Sequence, residues 1–525
     1  MLELLFLLLF ALVPLPRLRL FATPLPDAWP WTLALSHWLF PEAWSNAASG
    51  YNLPFPALLA GTLLALIGTY TLTIVVVRRV KLSGDTAERG WLALLLAGVL
   101  VFGITLLFLP RLFSDDVFTY IFSGRILSIY HLDPLNTAPF QFPGDPYLRW
   151  VISGRRAPNI YGPLWLCITS LLVGTSASLN ADPITTLLLF KGVMLFSHLC
   201  NCLLLWFILG RVAPARRLQG TLLYAWNPLA MLELAGMGHY EGILLTLFLL
   251  AVFVYILGQE RPGRRGYELL VLALFGLAAS ANLVALLITP IFVWFTLRAE
   301  RNITRAVWAF CWRMGLVLAC MALIYLPFWR GWTTFFAITS AIDMAHFVHS
   351  PLGVLVDPMR GFFSDVARWA HFPPIMQPVA AADLTLRGSA TVIFALIYLH
   401  LFGRVRLAPL ALQTPAGSES AGVKMRLPGF DVLLTGWCGA ILAYLFLVSG
   451  WFWPWFVLWV LWIVVMRRLD ILTITVLLLS GTALFVYPLM DVTRRSLASY
   501  FPVLIFGLPL LYFLIGSLVK HYSRG

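Results

Sequence analysis

Two adjacent carboxylates, Asp115 and Asp116, follow Ser114 just beyond an apolar run that ends at Pro110. Acids placed there have no packing purpose, so they suggest proton transfer or ion binding at a membrane surface. Neighbouring carboxylates repel, and a carboxyl with a raised pKa suits a base working near neutral pH. The bland alternative is a solvated pair, or an N-cap for the short interfacial helix that Phe118, Ile121 and Ile126 predict behind it. The acids open a polar, aromatic-rich stretch, roughly 111 to 160, whose turns are marked by Asp133 and Pro134, Gly144 and Pro146, and Gly162 and Pro163. They should therefore be held in place rather than free in water.

The elements that position them are membrane helices. A chain with 60% hydrophobic and 11% charged residues and a mean hydropathy of +0.87 is an all-α polytopic membrane protein, not a soluble domain. The net charge of +13 is not a nucleic-acid signal. Lys and Arg gather in short loops between apolar runs, as the positive-inside rule expects. The six cysteines all lie in apolar segments and read as small hydrophobes, not disulfides or metal ligands.

Apolar runs fall near 2–16, 58–77, 91–109, 184–209, 218–235, 242–258, 268–297, 306–327, 388–405, 430–449, 452–466, 471–488 and 498–518. The first reads as a retained helix, not a signal peptide, for want of a basic leader and a small-residue cleavage site. Basic clusters at 78–81, 211–217, 261–265, 298–305, 404–426 and 467–468 are placed in the cytoplasm. The run 268–297 is basic at both ends, so it crosses twice with a turn near Ala281 and Asn282, which brings the expected total to about fourteen crossings. By the same parity 163–178 is re-entrant or interfacial and lines a cavity. The whole chain, 1–525, reads as one membrane-embedded domain with external loops at 111–160 and 328–387. The second loop, which carries His346, His349, Asp357, Arg360, Asp365, Arg368 and Asp383, is long enough to cover a site. Arg494 and Arg495 fall on the external side against the rule. They are either an ordinary exception or a guanidinium pair for an anionic headgroup or phosphate.

The motifs SDDVFTYIFSGR, DPLN, IYGPLW, AWNPLAMLELAGMGHYEG and GWFWPWFVLW occur in that order between about 91 and 466. Together they resemble the GT-C membrane glycosyltransferases that use polyprenyl-phosphate sugars, and most closely the bacterial polyprenol-phosphate-mannose-dependent α-mannosyltransferases. The resemblance implies a GT-C-like helical bundle with interfacial helices in its external loops. It also implies an acidic motif in the first large external loop, a lipid-linked sugar donor, and a multi-pass protein of a bacterial plasma membrane with its active site facing outside.

Inverting transfer from such a donor to an alcohol needs one carboxylate to take the acceptor proton. Asp115 resembles the family's base, with Asp116 next to it. The departing lipid phosphate is favoured by nearby cations. Lys191, inside an apolar run, is the main candidate, and the family often has a lysine on this helix; snorkelling or pairing with Glu233 is its alternative. Arg125, Arg494 and Arg495 are further phosphate candidates. Asn227, Glu233, His239 and Glu241 lie on the 227–241 stretch and suit sugar or acceptor hydroxyls, although His239 could be purely structural. The family often shows Asn and Asp where this chain has Tyr240 and Glu241, and a lysine where it has Asn282, which could bond a sugar but cannot neutralise a phosphate. Tyr161, Trp165, Trp451, Trp453 and Trp455 could stack on sugars or simply anchor the chain at the bilayer interface.

No ligand spacing demands a metal, and the expectation is catalysis without a cofactor, although Asp115, Asp116, His239 and Glu241 could make an oxygen and nitrogen site for a divalent cation. The expected partners are the polyprenyl-phosphate sugar, a glycan or lipid-linked acceptor and the bilayer. A transporter or lipid flippase is the competing class, since buried polar groups such as Lys191 and Glu233 fit it equally well.

Overall fold

The computed structural model describes residues 1–15, 18, 20–45, 55–80, 84–261, 263, 265–334, 347–369, 378–409, 427–492 and 501–522. Among these, nine helices are long and apolar enough to cross a membrane: Phe55–Val77, Thr86–Leu107, Pro183–Val212, Glu241–Glu260, Ile303–Phe328, Pro378–Arg406, Phe430–Leu447, Ile471–Met490 and Phe501–Tyr522. Lipid offers no partner to backbone N–H and C=O groups, so helices that satisfy them internally are what an apolar chain of this kind can build. Shorter apolar helices, Leu2–Leu12, Pro163–Ser178, Ala285–Thr296 and Pro454–Val464, pack among them. The protein is thus a mostly helical, multi-pass membrane protein.

Local sequence fixes several helix starts. Asp182 accepts a hydrogen bond from Thr185 N and is followed by Pro183, whose missing N–H costs nothing in a first turn. Asn227 does the same for Leu229 and Ala230 ahead of Pro228.

The expected break near Ala281 and Asn282 is present. Helix Arg265–Ala281 ends there and Ala285–Thr296 begins after a three-residue turn, in which Asn282 Oδ1 accepts from Val284 N at 2.8 Å. The open ends of the two helices meet again, because Glu268 and Val271 share a cavity with Phe292 and Thr296. The segment is therefore a helical hairpin.

The helix behind the acids, Asp116–Ser128, also forms, but Val117 to Gly124 and Ile126 are all buried. It lies inside the protein rather than showing a wet face, as an interfacial helix would. Gly124 permits this, since a Cβ there would meet the Thr169 carbonyl at 2.5 Å.

Two further connections reach the site. Phe21–Ala22 pairs antiparallel with Arg111–Leu112 just before the acids, and Thr23 Oγ1 donates to Pro110 O at 2.9 Å. From the second loop, Val348 N donates to Gly450 O at 2.8 Å and Phe452 N to Val348 O at 2.9 Å, tying 347–350 to the tryptophan-rich segment. His346 lies outside the described residues.

Candidate active site

A cavity of about 450 Å³ lies at the turn of the hairpin. Its lining comes from distant parts of the chain: Ser114, Asp115, Asp116 and Ser153, then Tyr161 and Gly162, Tyr240 and Glu241, the Asn282 turn, Tyr325 and Tyr444, and Trp451, Trp453, Trp455 and Trp459. The size falls within the roughly 300–1,000 Å³ typical of small-molecule sites, and the lining is mainly aromatic with a few polar groups.

The two acids have different surroundings. Asp115, 1% exposed, accepts hydrogen bonds at Oδ2 from Ile152 N (2.7 Å) and Ser153 N (2.8 Å) and at Oδ1 from Ser153 Oγ (2.5 Å). It stands at the N-cap position of the following helix, yet its side chain does not cap it. Its carboxylate instead clamps the far end of the 111–160 loop. Asp116 faces the cavity with the Ser114 hydroxyl and the His239 ring beside it, and its side chain is 17% exposed. Burial pushes its carboxyl up from 3.8 to about 6; Asp115 and Glu233 push the same way, and His239 opposes them.

Behind Asp116 lies a second layer. His239 is fully buried, with Nδ1 3.7 Å from Asp116 Oδ2 and 3.3 Å from the Tyr120 hydroxyl, and Nε2 3.3 Å from Glu233 Oε2. Its ring stacks on Trp455 at 4.0 Å, and Trp455 stacks in turn on Trp453 at 5.2 Å. Tyr487 donates to Glu233 Oε1 at 2.7 Å. Two backbone features bring His239 here. Leu232–Gly236 forms a π-helical turn, a widening often found at functional sites. Gly238 follows at φ +79°, where Lys191 Cγ and Val117 Cγ2 stand 3.2 Å from an added Cβ. Neither His239 nor Glu233 lines the cavity, so the expectation that they bind sugar directly does not fit their positions.

Three other predicted residues have partners away from the cavity. Lys191 Nζ donates to Leu106 O at 2.9 Å and Leu107 O at 2.6 Å. It satisfies carbonyls left open where the Thr86–Leu107 helix ends and sits at the negative end of that helix's dipole. Arg125 Nε pairs with Asp145 at 2.8 Å and its guanidinium covers Tyr147, which ties the 129–150 loop to the helix. Asn227, besides capping, donates to Ser480 Oγ at 3.1 Å. Arg494 and Arg495 lie outside the described residues. No Lys or Arg is among the described residues that line the cavity.

Tyr161, Glu241, Asn282 and Trp455 do come together in the lining. Asn282 Nδ2 donates to the Tyr240 hydroxyl at 2.6 Å, and one oxygen of the buried Glu241, Oε2, has no hydrogen-bond partner among the described residues. Gly162 lets this wall close, because a Cβ there would lie 2.1 Å from the Ser280 carbonyl. Tyr120, Trp165 and Tyr240 pack edge-on or stacked beneath it. Sequence reasoning missed Ser153 and Tyr487, which lie in no motif and reach the site only through folding. Tyr325 and Tyr444, each in an apolar run, were missed for the same reason. Among the described residues no group of three or more His, Cys, Asp or Glu is arranged to hold a metal ion.

A search of curated proteins finds no match. Residues 43–298, which contain both acids, Lys191, His239, Glu241 and the hairpin turn, match the MptA_B family model, described as alpha-(1->6)-mannopyranosyltransferase, N-terminal domain. Over that stretch, just under half of its length, the chain is similar to this mannosyltransferase family.

Proposed function

We propose that the protein is an inverting mannosyltransferase that moves the sugar from a polyprenyl-phosphate donor to a glycan or lipid-linked acceptor, with the cavity opening on the extracytoplasmic side. The observation that carries this reading is the contrast between neighbouring acids. Asp115 is saturated by three donors, whereas Asp116 faces an aromatic cavity with its carboxyl near 6. A carboxylate of that basicity in a site of that shape suits a general base at neutral pH. The base is therefore assigned to Asp116, and Asp115 is the residue that fixes it.

In the proposed step the acceptor oxygen attacks the anomeric carbon and the bond from that carbon to the phosphate oxygen breaks. The electron pair leaves with the lipid phosphate, and the acceptor proton passes to Asp116 Oδ. Trp453 and Tyr161 offer ring faces to the sugar, with Trp455 stacked behind Trp453. Glu241 Oε2 and the Asn282 amide can bond its hydroxyls. Leu283, Val284, Leu286 and Leu287 on the same lining give the lipid chain an apolar path. Tyrosine hydroxyls on the lining can donate to the phosphate, and Arg494 and Arg495 remain its candidate cations. Neither the cavity nor the family match supports the transporter alternative.

Purified protein in lipid, offered polyprenyl-phosphate mannose and acceptor glycans, tests the reading. Transfer with inversion, abolished in Asp116→Asn, is the expected result. Equal turnover in wild type and Asp116→Asn removes the assignment, and absence of transfer from every polyprenyl-phosphate sugar removes the donor class.

A further inference from the structure

Three carboxyl groups, Asp115, Asp116 and Glu241, line the cavity, and a fourth, the fully buried Glu233, lies behind them against His239. Buried charge of one sign is not tolerated without a counter-charge. Among the described residues the nearby cations are committed elsewhere: Lys191 to the Leu106 and Leu107 carbonyls, Arg125 to Asp145, and Arg111 to the Leu15 and Leu18 carbonyls. Among the described residues the basic group in contact with this cluster is His239. Its Nε2 lies 3.3 Å from Glu233 Oε2 and its Nδ1 3.7 Å from Asp116 Oδ2, with the Tyr120 hydroxyl at 3.3 Å as the hydrogen-bond partner of Nδ1, so a doubly protonated ring places its charge between the two carboxylates. The Trp455 face lies flat against the ring at 4.0 Å, which also favours a cation.

We propose that His239 is a positioning residue of the transfer reaction: a buried imidazolium, clamped by Glu233 and Trp455, whose charge keeps Asp116 ionised and aimed at the acceptor. This rests on the mannosyltransferase reading given above. The groups that face the ring are Asp116 and Tyr120 from the helix behind the acids, Glu233 from the π turn, Glu241 from the helix that follows His239, and Trp455. Tyr487 reaches it through Glu233. Burial by itself would lower the His239 pKa, but Glu233, Asp116 and Glu241 outweigh it and the net direction is upward. When Asp116 takes the acceptor proton its own charge is cancelled, and Glu233 with His239 remains a neutral pair. The proton goes no further than Asp116, because the imidazolium has no free lone pair.

Nitrogen-15 NMR of histidine-labelled protein in lipid at pH 7 tests the ionisation without any donor. The His239 signal, identified by its loss in His239→Gln, should be that of a doubly protonated ring, and it should become neutral in Glu233→Gln. An infrared titration of the Asp116 carboxyl band should move upward by about one pH unit in His239→Gln, which makes Asp116 tenfold less ionised below its pKa. The acid limb of turnover should follow, with donor KM within about twofold. A neutral His239 in the wild type overturns the proposal. So does an unmoved Asp116 titration, or a variant whose only change is a raised donor KM, which would mark direct sugar contact. A charged ring in a wild-type protein that transfers no sugar would overturn the donor reading instead. Glu233→Gln keeps the test available if His239→Gln does not fold.

Discussion

The two ends of the 265–296 hairpin hold opposite kinds of cavity. At its turn Asn282 borders a cavity of about 450 Å³ that carries Asp115, Asp116 and Glu241 and, among the described lining, no Lys or Arg. At its open end, roughly 25 Å away by helix rise, a cavity of about 580 Å³ is lined by Arg265, Arg313, Glu268, Tyr255 and Tyr267. There Arg313 and Glu268 pair with each other, with side chains 17% and 40% exposed. The lesson is that charge serves different ends at the two sites. At the open end acid and base neutralise one another near water. At the turn, carboxylates are gathered with His239 as their counter-ion, an arrangement that costs stability and makes sense where a base is needed.

The largest effect should come from removing the base. Asp116→Asn is expected to lower turnover by about 10²–10⁴-fold with little change in donor affinity, measured as kcat and KM with a lipid-linked sugar. Asp115→Asn should act through its clamp on Ile152 and Ser153. Loss of charge from a buried, triply bonded carboxylate should destabilise by about 1–3 kcal/mol, seen as a lower unfolding temperature in detergent, with a smaller loss of turnover. Retained stability together with a loss as large as that of Asp116→Asn would reverse the two roles.

Wild-type turnover should fall about tenfold per pH unit below about 6. The Asp116 carboxyl is raised to that value, so protonation removes the base as pH drops through it. A profile flat down to pH 5 would break the link between that acid and the reaction. Trp455→Ala should raise donor KM and also loosen His239, with the stacking contribution of about 0.5–1.5 kcal/mol setting the scale. Arg313→Gln, at the other end of the hairpin, should leave turnover within about twofold and cost at most about 1 kcal/mol of stability, as a partly exposed pair does. A large loss of activity there would show that the two ends are coupled.

Much of this was legible in the chain. Apolar runs mark helices because lipid leaves few alternatives, and the hairpin turn at Asn282 follows from basic residues at both ends of one long run. The acidic motif was visible as polarity out of place, and its order with IYGPLW and the 225–242 motif carried the family resemblance. Individual roles were not legible in the same way. Lys191 looked like a phosphate ligand because a buried ammonium needs a partner, and sequence could not reveal that the partner would be the carbonyl end of another helix. Arg125 was a phosphate candidate, and its pairing with Asp145, twenty residues away across a turn, is a product of folding.

The sequence by itself determined a polytopic helical membrane protein with an acidic loop and a resemblance to mannosyltransferases, because hydropathy and motif order are properties of the chain read along its length. Tertiary structure alone decided which of two adjacent acids faces the cavity. Successive residues at a helix start point in different directions, and only the approach of Ser153 on one side and His239 on the other distinguishes Asp115 from Asp116.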